Sequence, residues 1–163
     1  MTDYDIIGAL GTATVPSLNN VETDCIGTQA TGLSIGARRV NNGDVLRGTA
    51  QFVTAANGNN KRVRLYLNGT SFFDHTFTDS NKQIRVWWEI NGLLQSTSKI
   101  CGAWYSDPSN LVLAGAVVYV QDTAITSDMT TAIIFRATML SATQAADVIC
   151  QALWFGRANR GYA

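Results

Sequence analysis

The chain has 163 residues with 12 basic and 12 acidic side chains, so its formal net charge is zero. That balance argues against a dedicated nucleic-acid binder, which needs a positive footprint to displace counterions. Charged residues make up only 15% of the sequence, against about a quarter in ordinary globular chains, which suits a surface partly covered by neighbours. Nine of the basic residues are Arg and three are Lys; the planar guanidinium suits interface contacts better than open water. The start, MTDYDIIGALGTATVP, lacks the basic n-region and long apolar run of a signal peptide. No apolar run is long enough to span a membrane, so no membrane partner is expected.

Residues 1–44 carry Pro16 and many Asn, Gly and Thr, with short apolar patches at Ile6-Ile7 and Leu33-Ser34-Ile35. They read as an N-terminal arm or loosely paired strands. Leu46 to Val53 opens the regular part of the chain. The Asn/Gly-rich loop Ala55 to Asn60 follows, and its composition points to positive φ in a tight connection. Val63, Leu65 and Leu67 alternate with Arg62, Arg64 and Tyr66, the period of a half-buried strand. Asn68-Gly69 is a two-residue hairpin signal, and Thr70 to Asp74 is the returning strand.

In the next strand Ile84, Val86, Trp88 and Ile90 form the inward set, with Arg85, Trp87 and Glu89 outward. Asn91-Gly92 repeats the hairpin signal before Leu93 to Ser98, and Cys101 to Tyr105 continues that element. Asp107-Pro108-Ser109-Asn110 is a turn cluster. Leu111 to Val120, Thr130 to Leu140 and Val148 to Phe155 are further strands, with SATQAAD at 141–147 joining the last two. Eight or more short strands and almost no helix predict an all-β, jelly-roll-like β-sandwich with an N-terminal arm, an immunoglobulin-like or lectin-like sandwich being the competing architecture. The expected divisions are 1–44 for the arm or loosely paired strands, 45–157 for the sandwich and 158–163 for a C-terminal tail.

No residue pattern carries catalysis. Glu22 and Glu89 are the only glutamates, and most aspartates, Asp44, Asp74, Asp79, Asp107, Asp122 and Asp128 among them, sit near turn signals. His75 is the single histidine, no GxSxG surrounds any serine, and the loop at 55–60 has no Walker pattern. Cys25, Cys101 and Cys150 show neither disulfide nor zinc spacing and read as small core residues. The expectation is a non-enzymatic protein without cofactor or metal.

The aromatics carry more information. Trp87 and Trp88 are adjacent, so a strand sends them to opposite faces. Trp104-Tyr105 and Trp154-Phe155 pose the same choice. Exposed members of such pairs stack on sugar rings or fill a subunit interface. The arm residues Tyr4, Ile6, Ile7 and Leu10, together with Trp87, Trp154, Phe155, Arg157, Arg160 and Tyr162, form the expected interface set, since aromatic plus Arg is the composition of binding hot spots.

The stretch GTAQFVTAANGNNKRVRLYL from Gly48 to Leu67, the Asn68-Gly69 hairpin, the strand Trp87-Trp88-Glu89-Ile90 and the terminal Ala145 to Leu153 together resemble small jelly-roll structural proteins of tailed bacteriophages. The resemblance spans roughly residues 45 to 155. It implies a capsid cement (decoration) protein on the outside of the virion shell, assembled in the bacterial cytoplasm and bridging capsomers. The implied partners are the major capsid protein and further copies of the chain as a homodimer or homotrimer. Similar domains in head fibres and tails imply the alternative, a receptor- or glycan-binding domain.

Overall fold

The computed structural model describes residues 4–9, 20–25, 33–37, 39–40, 44–78, 80–91, 98–106, 113–120 and 131–158. Eleven strands follow in chain order: β1 (Tyr4–Ala9), β2 (Thr23–Asp24), β3 (Leu33–Ile35), β4 (Val45–Thr54), β5 (Lys61–Leu67), β6 (Thr70–Phe77), β7 (Gln83–Asn91), β8 (Ser98–Ser106), β9 (Leu113–Val120), β10 (Ile133–Ser141) and β11 (Val148–Ala158). They form two antiparallel sheets. One runs β1-β11-β4-β7-β8-β9 and the other β2-β10-β5-β6, with β3 also pairing β10. The chain passes from one sheet to the other at β1–β2, β3–β4, β4–β5, β6–β7, β9–β10 and β10–β11. This is the β-sandwich expected from the strand spacing. Among the described residues no helix is long and apolar enough to cross a membrane.

The predicted alternation sets the core. Val63, Leu65, Leu67, Ile84, Val86, Trp88 and Ile90 are all buried, while Arg62, Arg64, Trp87 and Glu89 are half-buried on the outer faces. At the centre the Trp88 and Phe135 rings stack at 5.0 Å and 16°, and Phe135 stacks in turn on Phe155 at 4.5 Å and 15°. Gly48 lies opposite Trp88. A Cβ there would meet the indole at 2.0 Å, so only glycine lets the ring lie against β4. Cys25 and Cys150 are buried in this core and form no disulfide. Burial, and then the adjacent Cys150 thiol, pushes the Cys25 thiol well above its ordinary pKa. Of Cys101 only the backbone is described, on β8 opposite Trp88.

The segment before residue 45 supplies edge strands and core together. β1 pairs β11, β2 and β3 pair β10, and Cys25, Leu33, Ile35 and Val40 are buried in the shared core.

Asn68 and Gly69 both have positive φ, 48° and 79°, and Leu67 faces Thr70, so the first hairpin signal makes a two-residue turn of the primed kind. The second does not. Asn91 pairs with Ser98, which leaves 92–97, outside the described residues, as the connection. The expected strand at Leu93 to Ser98 lies outside them too, except for Ser98.

The loop at 55–60 also departs from expectation: none of its residues has a positive φ. Its asparagines act through their side chains. Asp147, buried in the β10–β11 connection, accepts hydrogen bonds from Asn57 Nδ2 at 2.7 Å, Asn59 Nδ2 at 3.0 Å and the Gln144 amide at 3.1 Å. Lys61 is fully buried, and its Nζ donates to the carbonyls of Asn57 at 2.7 Å and Asn59 at 2.9 Å. The same two asparagines thus hold a buried anion with their amides and a buried cation with their backbone, meeting the demand that buried charges be hydrogen-bonded. Burial pushes the Asp147 carboxyl up. The bonds from Asn57, Asn59 and the Gln144 amide, with the positive Lys61, more than reverse this and hold it below the usual carboxylate value.

Candidate functional site

Each sheet presents one outer face, and the two differ in how far they satisfy themselves. On the β2-β10-β5-β6 face three arginines are committed to carboxylates. Arg62 donates to Asp74 at 2.6 Å, Arg64 to Glu22 at 3.0 Å and to Asp74 at 3.2 Å, and Arg136 to Asp24. Glu22 also accepts from Tyr66 Oη at 2.7 Å and from Thr138 Oγ1, and the Arg136 guanidinium lies 5.8 Å from the centre of the Tyr66 ring. Burial raises the Glu22 carboxyl, but Thr138, Tyr66 and the two neighbouring guanidiniums bring it below its ordinary value. Asp74 is held low chiefly by its hydrogen bond from Arg62. Asp74 therefore sits within β6 as an arginine partner, not at a turn as the sequence suggested. His75, also on β6, lies between Phe73 and Phe77, with ring centres at 6.2 and 4.5 Å. This face is a closed network with little left to offer a ligand.

The β1-β11-β4-β7-β8-β9 face is built differently. Strand alternation turns Trp87 outward because Trp88 fills the core. Trp154 is turned outward by a β-bulge. The register of β11 on β4 shifts between Cys150 and Ala152. Gln151 and Ala152 are both exposed, after which Leu153 and Phe155 point inward and Trp154 outward. Thr49 of β4 pairs with Trp154 on one side and Trp87 on the other. The row continues to Ala9 beyond Trp154 and to Gly102 beyond Trp87. Two half-buried indoles therefore stand two strands apart, about 10 Å at the usual strand spacing, among small residues. Thr49 Oγ1 is tied to the Val86 carbonyl at 2.9 Å.

Polar side chains flank this row. On one side Arg47 Nε donates to Glu89 at 2.8 Å. On the other, Gln51 pairs in register with Arg85, and Arg85 is exposed. Trp104 follows Arg85 across the sheet on β8. Among the described residues no cluster of His, Cys, Asp and Glu could hold a metal ion.

The expected interface residues scatter. Trp87 and Trp154 come together on one face. Phe155 does not join them: it is fully buried in the Trp88–Phe135 stack and has no surface for a partner. Arg157 is turned into its own chain, 3.8 Å from the buried Asp44 and donating to the Arg39 carbonyl. Tyr4, Ile6 and Ile7 lie on β1, whose backbone is paired along β11, with a bulge between Ile6 and Gly8. Leu10, Arg160 and Tyr162 lie outside the described residues. Arg47, Thr49 and Gln51 were missed as members of the face, although alternation outward from the inward Leu46 would have found them.

No protein-family model matches the chain, and no curated protein matches it. Several solved structures are similar. One is the CBM2 module of the evolved Dit of Lactobacillus casei BL23 phage J-1, with a TM-score of 0.46 and 10% identity over 99% of both chains. Another is arcelin-5, a lectin-like defence protein of Phaseolus vulgaris, at 0.45 and 8% over 98% of this chain and 99% of that one. A third, a protein of unknown function from Shewanella oneidensis MR-1, scores 0.42 at 8% identity over 98% of this chain and 82% of its own.

Proposed function

We propose that this chain is a non-enzymatic binding module that holds a glycan on the outer face of its six-stranded sheet. The observation that carries the reading is the row Trp154–Thr49–Trp87, two indoles in one cross-strand line on a rigid sheet. The apolar C–H face of a pyranose stacks on an indole, and neighbouring polar groups fix its hydroxyls. Two indoles spaced by two strands address an extended chain of sugars better than a single ring. Together with the sequence resemblance to phage structural proteins, this favours a receptor- or glycan-binding domain of a phage fibre or tail. The capsid-cement reading rests on that resemblance alone: of the expected interface side chains that are described, Phe155 lies in the core, Arg157 is held within its own chain, and Trp87 and Trp154 form the indole row.

Trp87→Ala and Trp154→Ala are each expected to weaken retention of the protein on immobilised polysaccharides by about tenfold or more, a stacked aromatic contact and its buried area being worth that much. Unfolding midpoints should stay near the parent's. Affinity electrophoresis in gels containing a panel of soluble polysaccharides measures the first, and urea denaturation the second. Unchanged mobility together with a loss of self-association on sedimentation would turn the face into a subunit interface.

A further inference from the structure

Resting on the glycan reading, we infer that this face selects acidic glycans, with Arg85 reading the anionic group. The indole row carries no charge of its own. Among the described side chains around it there are two arginines and one glutamate. Arg47 is neutralised by Glu89 at 2.8 Å. Arg85 is exposed and has no acidic partner among the described residues. It precedes Trp87 by two residues on β7, so it shares the outer face about 7 Å along the strand.

The contrast with the other sheet sharpens the point. There Arg62, Arg64 and Arg136 each hold a carboxylate. Among the described residues, the guanidiniums of that face are paired, whereas Arg85, two residues from Trp87 on the face of the indole row, is a cation without a carboxylate where a sugar substituent would lie. Its planar fork donates two parallel N–H bonds to a carboxylate or a phosphate, which a lysine cannot match. The opposite register neighbour, Gln51, offers both a donor and an acceptor to adjoining hydroxyls. A neutral sugar chain would use the indoles and leave Arg85 idle, whereas a chain bearing an anion on the sugar next to the stacked one engages both.

The test is affinity electrophoresis of the full chain in polygalacturonate, alginate and a glycerol-phosphate teichoic polymer, against methyl-esterified pectin and hydroxyethylcellulose. At least one acidic polymer is expected to bind about tenfold tighter than either neutral one, the usual gain from a hydrogen bond to a charged group. The galacturonate and alginate arms report a carboxylate source and the teichoic arm a phosphate source. Arg85→Gln should bring the acidic polymer down to the neutral level, and Arg85→Lys should restore only part of the preference. The preference should also shrink as salt rises. Three results overturn the inference while leaving the glycan reading intact: neutral polymers binding as tightly as acidic ones, Arg85→Gln without effect, or polyglutamate binding as well as the acidic sugars while Trp87→Ala still weakens binding to the sugars. Binding to none of the polymers, with no effect of Trp87→Ala, removes both.

Discussion

Trp88→Ala is expected to lower the unfolding free energy by about 3–5 kcal/mol, the range for truncating a fully buried aromatic. The residue is the first ring of the Trp88–Phe135–Phe155 stack, which joins strands of both sheets. Truncation removes its transfer free energy and leaves a cavity that two stacked rings cannot readily fill. Its Nε1 is buried with no hydrogen-bond partner among the described residues, so Trp88→Phe, which deletes that orphan donor and keeps a ring, should cost clearly less than Ala. Gly48→Ala probes the same contact from the other side. The added methyl would meet the indole at 2.0 Å and the Trp154 carbonyl oxygen at 2.6 Å, and the backbone oxygen cannot move without breaking the β11–β4 ladder. Urea midpoints should therefore fall steeply for both, while Trp87→Ala stays near the parent. A larger loss at Trp87 than at Trp88 would mean that β7 is placed one residue out of register.

Asp147→Ala is expected to cost a comparable 3–5 kcal/mol, because removing one member of a buried charge arrangement leaves the other uncompensated. Three donors, from Asn57, Asn59 and the Gln144 amide, lose their acceptor at once, and Lys61 stays buried with its counter-charge gone. Lys61→Met leaves the carbonyls of Asn57 and Asn59 short of a donor, so it too should destabilise, and a double-mutant cycle should show the two sites coupled. The same carboxyl sets a pH dependence. Asp147, Glu22 and Asp74 all have folded-state pKa values below their ordinary ones. Their contribution to stability is complete above the ordinary carboxylate range, about pH 4, and is lost as pH falls through the depressed folded values. Thermal midpoints measured from pH 6 downward should drop in that window, and Asp147→Asn should start lower at pH 6 and lose less on acidification. A parent midpoint that holds flat down to pH 2 would show that these carboxyls are not held by the fold.

The sandwich was legible wherever alternation was long and a turn chemically marked. In β5 and β7 period two places seven core residues correctly, and Asn68-Gly69 fixes the first hairpin. The edge strands were faint because β2 and β3 are two and three residues long and pair with β10, more than a hundred residues further on in β2's case. The loop at 55–60 misled because its asparagines answer to Asp147, about ninety residues away, and a composition argument sees only neighbours. Trp154 and Phe155 could not be assigned to faces because the bulge between Cys150 and Ala152 reverses the parity of β11, and nothing in Ile149-Cys150-Gln151-Ala152 announces it. The indole row was half visible. Trp87 follows from its own strand, but its alignment with Trp154 depends on β4 lying between β7 and β11.

That strand order also governs how the molecule forms. Each sheet holds a strand from late in the chain at an interior position: β11 sits between β1 and β4, and β10 between β5 and the pair β2 and β3. Tyr4 faces Ala158, and Val45 faces that same residue from the other side. The hairpins β5–β6 and β7–β8 can close early, but neither sheet is continuous until β10 and β11 insert between strands made long before. Until then the inner strands β4 and β5 each keep an open edge. Refolding should accordingly run on the milliseconds-to-seconds scale of proteins dominated by distant contacts, with the hairpins as the first protected amides and the edges of β4 and β5 as the points most exposed to wrong pairing in the interval.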